Sequence, residues 1–159
     1  MRGVGVFALA LALMAAPAVA VQSGNVGDIS YRITSPSPAG LWMTANHNAV
    51  VRVLACGQDL CGQVVGLAIG PHDPMPKDWR GQPQCGLTIF EVTPAQGDGQ
   101  PMWKGTILDP RSGSEYGAEV KLAQPAVLEL RGYLGLPIFG ETQSWTPFYG
   151  QIGDSCRIE

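Results

Sequence analysis

Residues able to do chemistry are few in this chain, and they are scattered. Histidine occurs only at positions 47 and 72. His72 precedes Asp73, an imidazole beside a carboxylate, and a hydrolase acting on envelope material would need that pair in a cleft with a further acid or nucleophile. Sequence neighbours seldom aim their side chains at each other, and the pair lies in a proline-rich stretch, so a surface loop is the expected setting. His47, between Asn46 and Asn48, reads as the tip of a hairpin. Asp109 opens Asp-Pro-Arg-Ser-Gly, where Pro110 suits the second position of a tight turn and Gly113 supplies a positive φ. Gly97-Asp98-Gly99 lacks the third glycine and the strand-to-helix setting of a dinucleotide loop. No G-x-S-x-G elbow, H-E-x-x-H pair, EF-hand loop or P-loop is present. The sequence therefore nominates no catalytic residue, no cofactor and no metal, and the expected protein is not an enzyme.

Four cysteines, Cys56, Cys61, Cys85 and Cys156, are an even number, which in an exported chain predicts two disulfides. Cys56 and Cys61 flank Gly57-Gln58-Asp59-Leu60, and a hairpin with that four-residue loop would place them directly opposite each other. The preferred pairing is thus Cys56–Cys61 with Cys85–Cys156, the second bridge pinning the C-terminal tail and stabilising by about 3–5 kcal/mol in the chain-entropy model. Zinc is disfavoured, because the C-x4-C spacing is not a tight knuckle and no histidine is near.

The tryptophans carry more information. Trp42, Trp103 and Trp145 fall on predicted strands and Trp79 in a proline-rich excursion. Strand tryptophans fill a core, or in a barrel line a cavity that stacks on an apolar ligand; the core reading is preferred. Arg131, beside Gly132, is a candidate to lie across an indole. Thr44 and Gln143 are candidate polar groups of the same interior.

The elements that must position these residues begin after a secretion signal. Arg2 supplies a short positive region, Val4 to Ala16 an apolar run, and Ala18-Val19-Ala20 a small-residue cleavage site after Pro17. Cleavage is expected after Ala20, with Ala18 as the rival. The run is too short to span a bilayer as a helix, no long apolar segment follows, and no cysteine precedes Cys56 to carry a lipid. The predicted organisation is a signal peptide over 1–20, a tether over 21–39 and a single β domain over 40–159. Within the tether, Ile29, Tyr31 and Ile33 alternate and are positioned to add an edge strand.

Low charge (14%) with 21 glycines and 13 prolines argues for many tight turns and few solvated helices. The formal charge of −3 and the lack of any Lys/Arg cluster argue against nucleic acid as a partner. Eight strands are predicted, over 41–46, 49–55, 61–69, 85–92, 101–108, 115–122, 126–133 and 140–148. Residues 70–84, with four prolines, form a long excursion between the third and fourth. Alternation is cleanest in the sixth, where Tyr116, Ala118, Val120 and Leu122 face one way and Glu115, Glu119 and Lys121 the other. Short connections between alternating strands mean an antiparallel meander. Eight such strands lose their free edges by closing into an up-and-down barrel, whose interior is filled by side chains or holds one small ligand. A two-sheet sandwich is the alternative.

Several blocks carry a resemblance. Gly40-Leu41-Trp42-Met43-Thr44 is followed by Val51-x-Val53-x-x-Cys56-Gly57-x-x-Leu60-Cys61-Gly62. Trp103-x-Gly105-x-Ile107-x-Asp109-Pro110-x-x-Gly113-x-x-Tyr116 comes next, then Leu130-Arg131-Gly132-x-Leu134-Gly135 and Gly140-x-x-Gln143-x-Trp145. In this order, over about 40–147, the chain resembles an exported bacterial family known as domain of unknown function 2147. It departs from that pattern at Tyr133, where a cysteine is usual, at Asp73-Pro74, a reduced form of an Asp-x-x-Asn-Pro block, and at Pro147, where an arginine is usual. The resemblance implies a lipocalin- or calycin-like barrel over a sandwich, and an exported compartment; it brings no catalytic residue. The expected function is that of a periplasmic or secreted protein holding a small apolar molecule among Trp42, Thr44, Trp103, Tyr116, Arg131, Gln143 and Trp145. A ligand-free interaction module, acting through its outer surface or an exposed apolar patch around Met75, Trp79 and Leu87, is the alternative.

Overall fold

A computed structural model describes residues 37–97, 99–124 and 126–159. The expected signal peptide, most of the tether and the strand expected around Ile29–Ile33 lie outside these described residues. Eight strands, β1 (Gly40–Met43), β2 (Ala49–Cys56), β3 (Asp59–Leu67), β4 (Thr88–Ala95), β5 (Met102–Leu108), β6 (Glu115–Gln124), β7 (Val127–Tyr133) and β8 (Glu141–Pro147), pair in sequence order and close into one antiparallel barrel. The sandwich is thereby set aside.

The alternation read from the sequence is the inside–outside alternation of the barrel. Laterally paired positions such as Val51 and Val64, Val53 and Gly62, Gly105 and Ala118, and Ala118 and Gly132 face the interior. Between them, Lys104 meets Glu119 and Lys121 meets Glu129 on the outside, each pair at 2.9 Å. Half-exposed cross-strand pairs of this kind contribute about 0.2–1 kcal/mol and chiefly hold the register.

Register shifts interrupt the pairing of β2 with β3, of β3 with β4 and of β6 with β7. A β-bulge between β3 and β4 sets Gly62 opposite Phe90 and Gln63 opposite Thr88, leaving Ile89 as an extra residue; Ile89 and Phe90 are both buried as a result. The phenyl ring of Phe90 lies flat over Gly62, where a Cβ would fall 2.1 Å from Phe90 Cε1. Only glycine fits beneath that ring.

Both expected disulfides are present, but the first joins a tighter hairpin than the spacing suggested. Gly57, at φ 77°, and Gln58 alone make the turn, so Cys56 pairs with Asp59 and Cys61 with Leu54. The two cysteines are diagonal rather than opposite neighbours, with Cα atoms 5.9 Å apart. β1 is shorter than predicted because Thr44–Asn48 form the turn, with His47 at its tip in the left-handed region at φ 57°. β4 starts late, at Thr88, since Gly86 and Leu87 are tied to Val64 by backbone hydrogen bonds of the preceding loop.

After β8, Phe148 N–H donates to Leu41 C=O, and the tail then climbs the outside of β2 and β3. Ile152 and Ile158 cover Gly66 and Val50 there, which is why Val50 is fully buried although it points away from the barrel interior. Backbone bonds between Leu67 and both Cys156 and Ile158, with the Cys85–Cys156 bridge, fasten this strap.

Candidate functional site

One half of the barrel is packed and the other is hollow. Toward the end carrying the Gly57-Gln58 turn, Trp42, Val53, Leu60, Phe90, Val92, Ala118, Val120 and Leu128 form a continuous core. Trp42 Nε1 donates to Pro38 C=O at 2.8 Å, and the fully buried Pro38 closes that end. The indole of Trp145, 2% exposed, caps this core from above, its ring centroid 6.3 Å from that of Phe90.

Above Trp145 lies a cavity of about 770 Å³. Its walls are Ala49 and Val51 of β2, Val64 and Leu67 of β3, Ile89 of β4, Ile107 of β5, Tyr116 of β6, and Leu130 and Gly132 of β7. Each is an inward position of its strand or the extra residue of a bulge. Polar groups gather at the rim: Asn46, Asn48, Gln84, Asp109, Arg111, Glu141 and Gln143. This is the arrangement of a small-molecule site, apolar below with a few polar groups at the opening.

Four connections surround the opening: 44–48, 68–87, 109–114 and 134–140. In the first, Thr44 Oγ1 lies 3.0 and 3.1 Å from the side-chain oxygens of Asn46 and Asn48 and accepts from Ala49 N–H. In the third, Asp109 accepts from Arg111 N–H and Ser112 Oγ and closes the turn expected of it. The long excursion is held at its centre by Asp78, whose side chain is wholly shielded from solvent and accepts from Arg80 N–H, the Arg80 guanidinium and Gln82 N–H. Burial pushes the Asp78 carboxyl up, but the hydrogen bonds from the Arg80 side chain and from the Gln82 and Arg80 amides, with the Arg80 charge, outweigh it and hold the pKa below the usual 3.8. Trp79 then docks the excursion on the β5–β6 turn. Its backbone N–H donates to Pro110 C=O at 3.0 Å, and its ring covers Gly113, at φ 75°, where a Cβ would lie 2.7 Å from the indole.

Of the residues singled out from the sequence, Thr44, Tyr116, Gln143 and Trp145 line the cavity. Trp42 belongs to the packed half, and Trp103, half-buried opposite Val120, packs against that core. Arg131 faces outward, since Leu130 and Gly132 on either side of it face in. Its guanidinium crosses no indole; it donates to Pro137 C=O at 2.7 Å, Thr142 Oγ1 at 2.7 Å and Ile138 C=O at 3.3 Å. Among the described residues, the arginine that lies on an indole is Arg80, 4.4 Å above the ring of Trp79. Met75 and Leu87 are partly buried against the core, so they do not form an exposed patch with Trp79. Asp73 accepts from Gly70 N–H and, through its carbonyl, from Arg157, while His72 is exposed away from the cavity. Among the described residues, the one group of Cys and acidic side chains close enough to hold a metal is Cys56, Cys61 and Glu91, and its sulfurs are joined in a disulfide. Sequence reasoning missed the aliphatic wall and the rim residues Arg111 and Glu141. The alternation of the sixth strand gives Tyr116 the same inward face as Ala118 and Val120, and nothing in that period distinguishes a filled level from an empty one.

No curated protein and no solved structure matches this chain. The family model described as an uncharacterized protein conserved in bacteria (DUF2147) matches residues 40–147, which run from the first residue of β1 to the last of β8. The match spans the whole barrel, and the chain belongs to that family.

Proposed function

We propose that this protein binds one small, largely apolar molecule in the hollow half of its barrel, in the periplasm or outside the cell, without converting it. The observation that carries the reading is the 770 Å³ cavity floored by Trp145 and walled by aliphatic side chains. That volume falls within the roughly 300–1,000 Å³ usual for drug-sized ligands. An apolar body among Val51, Val64, Ile107 and Leu130 would leave water, while Arg111, Glu141 and Gln143 would meet any polar end at the rim. Two disulfides support an oxidising compartment. Among the described residues, no helix is long and apolar enough to cross a membrane.

Native mass spectrometry of the protein purified without detergent tests this, followed by solvent extraction of any adduct. One apolar molecule per chain is the expected result. A protein of bare mass that also fails to take up the apolar dye N-phenyl-1-naphthylamine would reject the proposal.

A further inference from the structure

We propose that the β7–β8 loop docks the open end of the barrel on a lipid bilayer, and that the bound molecule is a membrane-derived amphiphile. The second half of this rests on the cavity reading above; the first does not. Leu134, Leu136, Ile138 and Phe139 are 69, 63, 76 and 78% exposed, four large apolar side chains within six residues. No charged residue occurs between Gly132 and Gly140. Clustered exposure of this kind marks an interaction site in a folded protein.

The loop is presented rather than loose. A single 3-10 turn, Pro137–Phe139, forms its tip, and Gly140 N–H closes it on Pro137 C=O. From below, the three hydrogen bonds of Arg131 tie the carbonyls of Pro137 and Ile138 and the Thr142 hydroxyl to β7. The apolar side chains are therefore ordered before any partner arrives, and contact costs little conformational entropy. Its stems also border the opening: Gly132 and Glu141, on either side of the loop, both line the cavity. Beyond the two register positions shared with β1, Trp42 with Pro147 and Met43 with Thr146, β8 pairs with β7 alone, and Glu141–Ser144 are exposed. A surface that receives this loop thus meets the mouth of the cavity.

A bilayer fits the patch better than a protein does. The four side chains expose on the order of 500 Å², short of the roughly 800 Å² per partner of a stable protein interface. Two of the four, Ile138 and Phe139, sit on a three-residue turn, which gives a second copy little area to pack against. A lipid interface needs no shape complementarity and takes such side chains to the level of the headgroups. The chain's formal charge of −3 gives no attraction to an anionic surface, so the contact is apolar and insensitive to salt.

The test is flotation of the full protein with vesicles of phosphatidylethanolamine and phosphatidylcholine, at low and high salt. It is run beside titration of N-phenyl-1-naphthylamine in vesicle-free solution. Wild type floats at both salts; the Ile138→Ser/Phe139→Ser variant loses vesicle partitioning by about tenfold or more, yet keeps its dye binding and melting temperature. Dye binding without flotation of the wild type overturns the docking proposal and leaves the cavity reading standing. Flotation without dye binding removes the amphiphile and the cavity reading with it. Equal flotation of wild type and variant, or a dimer that the variant dissolves in sedimentation velocity, overturns the assignment of the loop to lipid.

Discussion

The rings of Phe90 and Trp145 lie with centroids 6.3 Å apart and planes inclined by 47°, and the barrel changes character across that contact. On the Phe90 side Trp42, Val53, Val92, Val120 and Leu128 pack into one core. On the Trp145 side the interior is open to the rim. Both rings occupy their places because of local backbone choices: the bulge at Ile89 that sets Phe90 over Gly62, and the inward period of β8 that brings Trp145 beside Leu128.

Trp42 and Trp145 accordingly respond differently to truncation. Trp42→Ala should cost about 3–5 kcal/mol of stability and leave the affinity for an apolar dye unchanged, because the void opens below the floor. Trp145→Ala should cost a similar amount and change dye affinity as well, because its void joins the cavity. Urea unfolding and dye titration on the two variants separate the cases.

Gly62→Ala should destabilise by about 1–3 kcal/mol, since its methyl group must displace the Phe90 ring. Combining it with Phe90→Leu should recover part of that loss. A lower urea midpoint at unchanged slope for the single variant, partly restored in the double, is the expected pattern.

The two disulfides should differ in worth. Cys85–Cys156 spans a sequence separation of 71 residues and Cys56–Cys61 one of 5. The chain-entropy model gives about 4 kcal/mol for the first and about 2 kcal/mol for the second. Cys85→Ser/Cys156→Ser should therefore lower the melting temperature more than Cys56→Ser/Cys61→Ser. It should also speed amide exchange in Cys156–Glu159, which the bridge holds against Leu67.

Asp78 makes stability depend on acid. Its folded pKa lies below the ordinary 3.8, so the carboxylate stabilises the folded protein above that value, and the contribution disappears as pH falls through the lower folded value. Asp78→Asn should be less stable than wild type near neutrality, with the gap narrowing only below pH 3.8. Melting temperatures of both proteins from neutrality into acid check the sign.

Much of this architecture was legible in the chain because one face of each strand is buried. Tyr116, Ala118, Val120 and Leu122 announce an inward face without reference to any other strand. Asp109-Pro110-Arg111-Ser112-Gly113 announces its own turn, and the short spacing of Cys56 and Cys61 pairs them and leaves Cys85 for Cys156. What alternation does not encode is height along the barrel axis. Trp42 stands opposite Pro147, two residues along β8 from Trp145, a rise of roughly 7 Å, and that one step separates core from cavity floor. Register between distant strands sets the difference, as it sets the diagonal placement of Cys56 and Cys61. Arg131 meets no indole for a related reason: Leu130 and Gly132 fix its outward side of β7, and two of its partners are carbonyls of a loop whose path no periodicity foretells.

Gly132 offers the most direct measurement. It lines the cavity, and a Cβ there would approach nothing nearer than Ile107 Cγ2 at 3.7 Å, so a side chain can leave this position without striking the backbone. Titration of wild type and Gly132→Phe with N-phenyl-1-naphthylamine should give one dye per wild-type chain and none for the variant, with both melting at similar temperatures. Undiminished dye uptake by a folded Gly132→Phe would contradict the claim that the upper half of this barrel is the binding site.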